Sequence, residues 1–259
     1  KIILGSSSPS RKKLLKNAGI KFIIKKPKLN EEVEKKKFKG TKKALALYLA
    51  EKKALSIETN SENIVIGADQ VLLYGSKIYN KPRSINEAKK HLRQLSNKTH
   101  NLISGTVISK NNKIIWQHNS VAKMTMHKLT RKDIENYLTK SSKNILKCVG
   151  AYNIEGYGST LFKRIEGDFF SIVGLPLIKL LNEINPILTN YSKEKGISII
   201  LRKKHISLYL LRFFNQLGSQ KQLESALVAL TGKMPDSPEG WYDLAAVQAV
   251  VQTPLLLCT

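Results

Sequence analysis

The stretch IVIGADQVLLYGSKIYNKP, Ile64 to Pro82, decides how the rest of the chain is read. Its apolar opening, Ile64 to Ile66, predicts a buried strand. Gly67 and a lone acid, Asp69, follow before the chain turns apolar again from Val71 to Tyr74. Tyr74-Gly75-Ser76-Lys77 predicts a hairpin turn, and Lys81 is a cation placed just before the rigid Pro82. A carboxylate embedded in so apolar a run is costly unless it has a partner or a metal. Asp69 is therefore a candidate functional group; the plainer reading makes it a turn-capping acid at a strand end.

Upstream, Lys1 to Gly5 predicts a first strand, and Ser6-Ser7-Ser8-Pro9 leads into a helix over Arg11 to Ala18, with Ser8 as cap and Pro9 at its first position. A strand, a small polar loop and a helix start aim backbone N–H groups at an anion, with Arg11 to Lys13 adding cations. Ile20 to Lys25 predicts a second strand, and Asn30-Glu31-Glu32 is an acidic spot in a basic region. Helical spacing covers Thr41 to Ser56. Downstream, Ser84 to Leu95 has a helix start signal in Ser84 and Glu87. Asn101 to Ser109 and Lys113 to Gln117 predict paired strands, and Val121 to Leu129 a continuation of the sheet. Thr130 caps a further helix, Gly150 to Gly158 reads as a glycine-punctuated loop or bulged hairpin, and Leu177 to Ile184 forms a last helix stopped by Pro186. This order predicts an α/β domain over residues 1–185, a mixed sheet flanked by helices.

Two further segments are expected: a basic and apolar connection over 186–215, and a mostly helical extension over 216–259 with a weak tetratricopeptide-like pattern. The extension alone would be too short to stand as a solenoid, so it packs on the domain, self-associates, makes protein contacts or is an out-of-place terminal extension. The 259 residues carry a net charge of +25. From Gln216 onward two lysines face four acids, so the first 215 residues hold +27. Such an excess favours polyanions such as nucleotides, nucleic acid or an anionic membrane surface, or else merely decorates a lysine-rich surface. Cys148 and Cys258 make neither a disulfide framework nor a zinc site, and the five histidines show no ligand spacing. With no signal peptide or 18-residue apolar run, the expectation is a cytoplasmic protein without a transmembrane segment. The chain opens on a strand-like run without Met, and a few preceding residues are expected.

Taken in order, Leu4-Gly5-Ser6-Ser7-Ser8-Pro9-Ser10-Arg11, Asn30-Glu31, Leu49 to Ala54, Gly67-Ala68-Asp69-Gln70-Val71, Lys81-Pro82, Glu87 to Leu95 and Gly150 to Gly158 with the trailing GLPL resemble the Maf family of nucleoside triphosphate pyrophosphatases. The resemblance covers about residues 1–185 and implies a central nucleotide cleft, a divalent cation (Mg²⁺ or Mn²⁺), and hydrolysis of a nucleoside triphosphate to the monophosphate and pyrophosphate. Its implied task is to keep non-standard nucleotides out of nucleic acid. It makes Asp69 the proton acceptor for the attacking water and a metal ligand together with Glu31. Arg11, Lys53 and Lys81 would clamp the triphosphate, with Lys52 an alternative to Lys53, and Ser6 and Ser8 would line the phosphate loop.

Base selection falls on Ser10, Gln70 and Glu155. Gln70 and the Glu155-Gly156-Tyr157-Gly158 run resemble a branch fitted to 7-methyl-GTP, and a carboxylate there could accept from a guanine edge. Ser10 departs from both branches, which carry Arg or a bulky aromatic, and Asn30 replaces a usual Asp near the metal. The resemblance admits a homodimer. A different class of function stays beside this one: a basic nucleic-acid or membrane-surface binding protein with a vestigial nucleotide site.

Overall fold

Strand β3 (Ile64–Tyr74) runs unbroken through the deciding stretch, eleven residues with Asp69 in its interior rather than at an end. The plainer reading of Asp69 as a turn-capping acid at a strand end does not hold, because the backbone stays paired throughout with β5 (Thr99–Lys110), Asp69 opposite Gly105. On its other side β3 lies parallel to β1 (Ile2–Gly5), but only as far as Gly5 opposite Gly67. Asp69 thus sits two residues past the point where β1 leaves the sheet. Such a strand end in an α/β sheet is where crevices form.

The computed structural model describes residues 1–141 and 143–192. The sheet is seven-stranded and mixed, as expected: β2 (Ile23–Ile24), β1, β3, β5, β6 (Lys113–Met126) and β7 (Phe162–Glu166) in that order, with β4 (Lys77–Tyr79) joined to β3 by the predicted hairpin. The two segments expected at Lys113 to Gln117 and Val121 to Leu129 are one strand, β6, kept continuous by its pairing with β5. Helices α1 (Pro9–Asn17), α3 (Leu45–Leu55), α4 (Ile85–Leu95) and α5 (Arg131–Lys140) match the sequence reading, with Ser84 and Thr130 as side-chain caps. Helix α2 (Glu31–Lys37) was not expected, and the Gly150 to Gly158 region is a pair of short 3-10 turns rather than a hairpin. Helix α6 (Phe169–Val173) follows. Helix α7 (Leu177–Ser192) continues through Pro186, which removes one backbone donor without ending it.

Residues 1–15 and 21–186 form one compact unit; residues 16–20 and 187–259 form a second, of which the end of α1 with the turn after it and the last residues of α7 are described. The tetratricopeptide-like reading of 216–259, and most of the segment 186–215, lie outside the described residues.

The core that positions the site lies between α3 and the sheet. Ala46, Ala50 and Ala54 form a small-residue stripe at spacing i, i+4, i+8, and opposite them stand glycines of β3 and β5. A Cβ on Gly67 would come within 2.3 Å of the Ala50 carbonyl oxygen, and one on Gly105 within 2.4 Å of the Ala46 backbone. The absent side chains let the helix approach the strands, while Ile3, Val65, Val107 and Ile57 on one side and Leu45, Leu49, Val71 and Ile103 on the other close the layer. Each such fully buried aliphatic side chain contributes about 1.5–3 kcal/mol. The side chain of Lys53, also on α3, is buried between helix and sheet as a consequence.

Candidate active site

Lys53 is 8% exposed, and its ammonium stands between two carboxylates: it donates to Asp69 Oδ1 and lies 2.9 Å from Glu31 Oε1. Alternation along β3 turns Asp69 toward the α3 face together with Val71 and Leu73. Glu31 is the first residue of α2, where the helix N-terminus favours an acid. Burial alone would raise its pKa, but Lys53, backed by Lys81 and Lys35, outweighs that and holds it below the ordinary carboxylate value. Between Lys52 and Lys53 the geometry decides: Lys52 lies 5.3 Å over the Tyr48 ring, away from the carboxylates.

The loop after β1 is built around the Ser6 hydroxyl, which accepts from Ser8 N at 3.2 Å and from Arg11 Nη1 at 3.0 Å. Arg11 is buried and also donates to the carbonyls of Ala68 (2.8 Å) and Gly174 (3.0 Å). It therefore latches the loop to the residue preceding Asp69 and to the turn after α6, a structural task beside the expected phosphate clamp. Burial lowers its pKa, opposed by Asp69 and Glu31, while leaving it a cation. Gly174 makes that latch: φ is +143°, and a Cβ there would meet Arg11 Cγ at 3.1 Å.

These groups open onto a cleft of about 480 Å³ lined by Ser6, Ser8, Ser10, Arg11, Glu31, Lys53, Asp69, Gln70 and Lys81. Eight of the nine residues proposed for substrate, specificity and metal binding, together with Asp69, are thus brought to one cavity; Leu102, Tyr152, Ile154, Ile172 and Val173 give it apolar walls. Glu155 is not among the lining residues. Its side chain, 8% exposed, pairs with Lys13 at 3.2 Å, and its backbone N–H donates to Asn153 Oδ1. Gln70 lines the cleft with its Nε2 held by Ser104 Oγ (2.9 Å) and the carbonyls of Ile172 (3.0 Å) and Ser171 (3.2 Å), and Ser104 Oγ in turn donates to Ser171 O at 2.7 Å. Asn30 serves as the cap of α2, its Oδ1 accepting from Val33 N at 3.2 Å.

Ser104 and Ser171 escaped the sequence reading, although buried hydroxyls flanked by apolar residues are a usable signal. His100 did too: its Nε2 lies 2.9 Å from the Tyr152 hydroxyl behind the cleft wall, and burial drops its pKa to about 4.

Mg²⁺ and Mn²⁺ are commonly held through one or two protein carboxylates with water and substrate phosphate, and Asp69 and Glu31, which converge on Lys53, are the carboxylates the cleft would offer. Among the described residues no set of three or more His, Cys, Asp or Glu side chains gathers, so the chain would supply Asp69 and Glu31, and phosphate oxygens the remainder. No described helix is long and apolar enough to cross a membrane.

A protein-family model described as Maf-like protein matches residues 1–187. The 7-methyl-GTP pyrophosphatase of Rhizobium meliloti (strain 1021) is 40% identical over 190 residues, covering 72% of this chain and 96% of that protein. The enzyme of the same name from Brucella abortus biovar 1 (strain 9-941) is 42% identical over 188 residues, 71% of this chain and 94% of its own. The nucleoside triphosphate pyrophosphatase of Hyphomonas neptunium (strain ATCC 15444) is 41% identical over 184 residues, 70% and 93% respectively.

Proposed function

The chain belongs to the Maf-like protein family, and on that footing we propose that it hydrolyses nucleoside triphosphates to the nucleoside monophosphate and pyrophosphate. The observation that carries this reading is the convergence of Asp69, Glu31 and Lys53 beside a serine-rich helix start, in a cleft with apolar walls on one side. The apolar walls suit a base and ribose, and the serine loop with Lys53 and Lys81 suits phosphates.

Hydrolysis of an anhydride asks for neutralised charge and an oriented water more than for covalent help. Asp69 takes the proton of the water whose oxygen forms the new P–O bond; the bridging oxygen between the α and β phosphates departs with the bonding electrons. Lys53 and Lys81 balance the charge gathered on the phosphoryl oxygens. Arg11 holds the Ser6 loop and Ala68 so that phosphate loop and base keep their spacing. A divalent cation on Glu31 and Asp69 would lend further charge neutralisation and lower the pKa of a bound water. Methylated guanine triphosphates are the first substrates to try, on the strength of the names of the relatives and of Gln70.

A panel of standard and 7-methylated triphosphates with Mg²⁺, read by pyrophosphate release, tests the reading. Turnover of at least one triphosphate is expected, with Asp69→Asn slowing kcat by about 10²–10⁴-fold as for loss of a general base. No turnover anywhere, combined with polyanion affinity that falls steeply with salt, would favour a binding protein instead.

A further inference from the structure

Gln70 and Ser104 stand opposite each other in the β3–β5 pair, so their side chains share one face of the sheet, the face away from Asp69 and α3. Helix α6 lies on that face and turns two backbone carbonyls, those of Ser171 and Ile172, toward Gln70. Three oxygens therefore surround the Gln70 amide nitrogen: Ser104 Oγ at 2.9 Å, Ile172 O at 3.0 Å and, more weakly, Ser171 O at 3.2 Å. Carbonyl oxygens only accept. Ser104 Oγ gives its single hydrogen to the Ser171 carbonyl at 2.7 Å, so toward Gln70 it accepts too.

These partners fix which way the amide faces. Turning it over would set its oxygen against acceptors, beside a serine that is 1% exposed and out of reach of water. The nitrogen is thus held inward, and Oε1 has no hydrogen-bond partner among the described residues. Since Gln70 lines the cleft, what it offers there is an acceptor. Glu155, the acceptor expected from the sequence, is not among the lining residues and pairs with Lys13.

We propose that Ser104 is a positioning residue for base selection: it holds the Gln70 amide so that only the carbonyl oxygen meets the nucleobase, which selects an edge rich in N–H donors, that of guanine. The proposal rests on the reading of the cleft as a nucleotide site. Guanine sets its N1–H beside its N2 amino group, two donors within reach of the two lone pairs of one oxygen. Adenine and cytosine offer one amino group, and uracil one N–H between two carbonyls.

Pyrophosphate release by the full chain with Mg²⁺ tests this on three substrates: the faster of GTP and 7-methyl-GTP, its N1-methylated counterpart, and ribose 5-triphosphate, which has no base. Ser104→Ala should lower kcat/KM for the guanine substrate about 5-fold, the scale of one neutral hydrogen bond, and leave ribose 5-triphosphate unchanged. The N1-methylated substrate, its donor blocked, should be at least about 10-fold poorer in the unsubstituted protein, and that preference should shrink in Gln70→Ala. Adding Ser104→Ala to Gln70→Ala should change nothing further, because two residues that act through one contact are not additive. Equal loss on the guanine substrate and on ribose 5-triphosphate overturns the proposal, since it leaves Ser104 a role in folding alone. Indifference to Ser104→Ala, full additivity of the two substitutions, or discrimination against the N1-methylated substrate that survives Gln70→Ala overturns it as well. So does turnover of pyrimidine triphosphates without turnover of either guanine triphosphate. Absence of turnover for every triphosphate is a separate failure, that of the nucleotide cleft itself, and removes this proposal with it.

Discussion

Lys53 illustrates how much of the chemistry depends on one buried side chain. It is the cation that lets Asp69 and Glu31 share a small volume in an apolar layer. Removing it leaves two carboxylates facing each other with less compensation, and removes a positive group from where phosphoryl charge accumulates. Lys53→Ala should therefore lower kcat/KM by about 10²–10³-fold, the scale of a lost electrostatic donor. Lys52→Ala, one residue away and half-buried beside Tyr48, should change it less than about 2-fold, since a cation–π contact near the surface amounts to about 0.5–1 kcal/mol of stability and none of the chemistry. If the two variants lose activity alike, the assignment to Lys53 is wrong. Asp69 and Lys53 were legible in the sequence through motif order. Their mutual contact was not, because a helix residue and a strand residue 16 positions apart meet only through the packing of α3.

At the scale of elements, that packing depends on Gly67 and Gly105. Glycine in a strand interior marks close approach of another backbone, and here the approaching backbone is that of α3 at Ala46 and Ala50. Gly105→Ala should push the helix away, destabilising by about 1–3 kcal/mol, the usual range for overpacking. Thermal unfolding measures that loss. Because a small misplacement of a catalytic group can cost about 10²-fold in rate, kcat should fall further than stability predicts, even at temperatures where the variant is fully folded. Unchanged kcat in a folded, destabilised variant would show that Lys53 tolerates the shift. Most elements were legible because periodicity and caps marked them. Helix α2 was not: EEVEKKK carries no apolar stripe, and it is held instead by the Asn30 cap, the Glu32–Lys35 and Glu34–Lys37 pairs and the Tyr48 hydroxyl on Glu34 at 2.7 Å. The end of α7 was misjudged for the opposite reason, a strong local signal at Pro186 that the helix overrides. The unbroken β3 and β6 follow from β5, whose pairing spans gaps that look like breaks in either sequence alone.

The whole molecule adds a titration that no local stretch announces. His100 lies on β5 with its ring against Tyr152 and Phe162, 1% exposed, and is partnered across 52 positions by the Tyr152 hydroxyl. Its Nδ1 is buried without a hydrogen-bond partner among the described residues, so the ring is suited to the neutral form and its pKa falls from 6.5 to about 4. A histidine with a lowered folded-state pKa binds fewer protons than its unfolded counterpart below pH 6.5. Stability is therefore complete above that value and declines as the pH drops toward 4, by up to about 3 kcal/mol in total. Carboxylates act in the same direction: Glu31, held low, contributes fully above the ordinary carboxylate value and loses that contribution as the pH falls from there through its depressed value. To isolate the imidazole, urea unfolding midpoints should be compared between the unsubstituted chain and His100→Gln across pH 7.5 to 4. The variant is expected to start less stable, having lost the ring's contacts, yet to lose less on acidification, so the two curves converge. Parallel curves would mean that the ring takes up its proton at the same pH in the folded and the unfolded chain, so that the wall behind the cleft accommodates the charge.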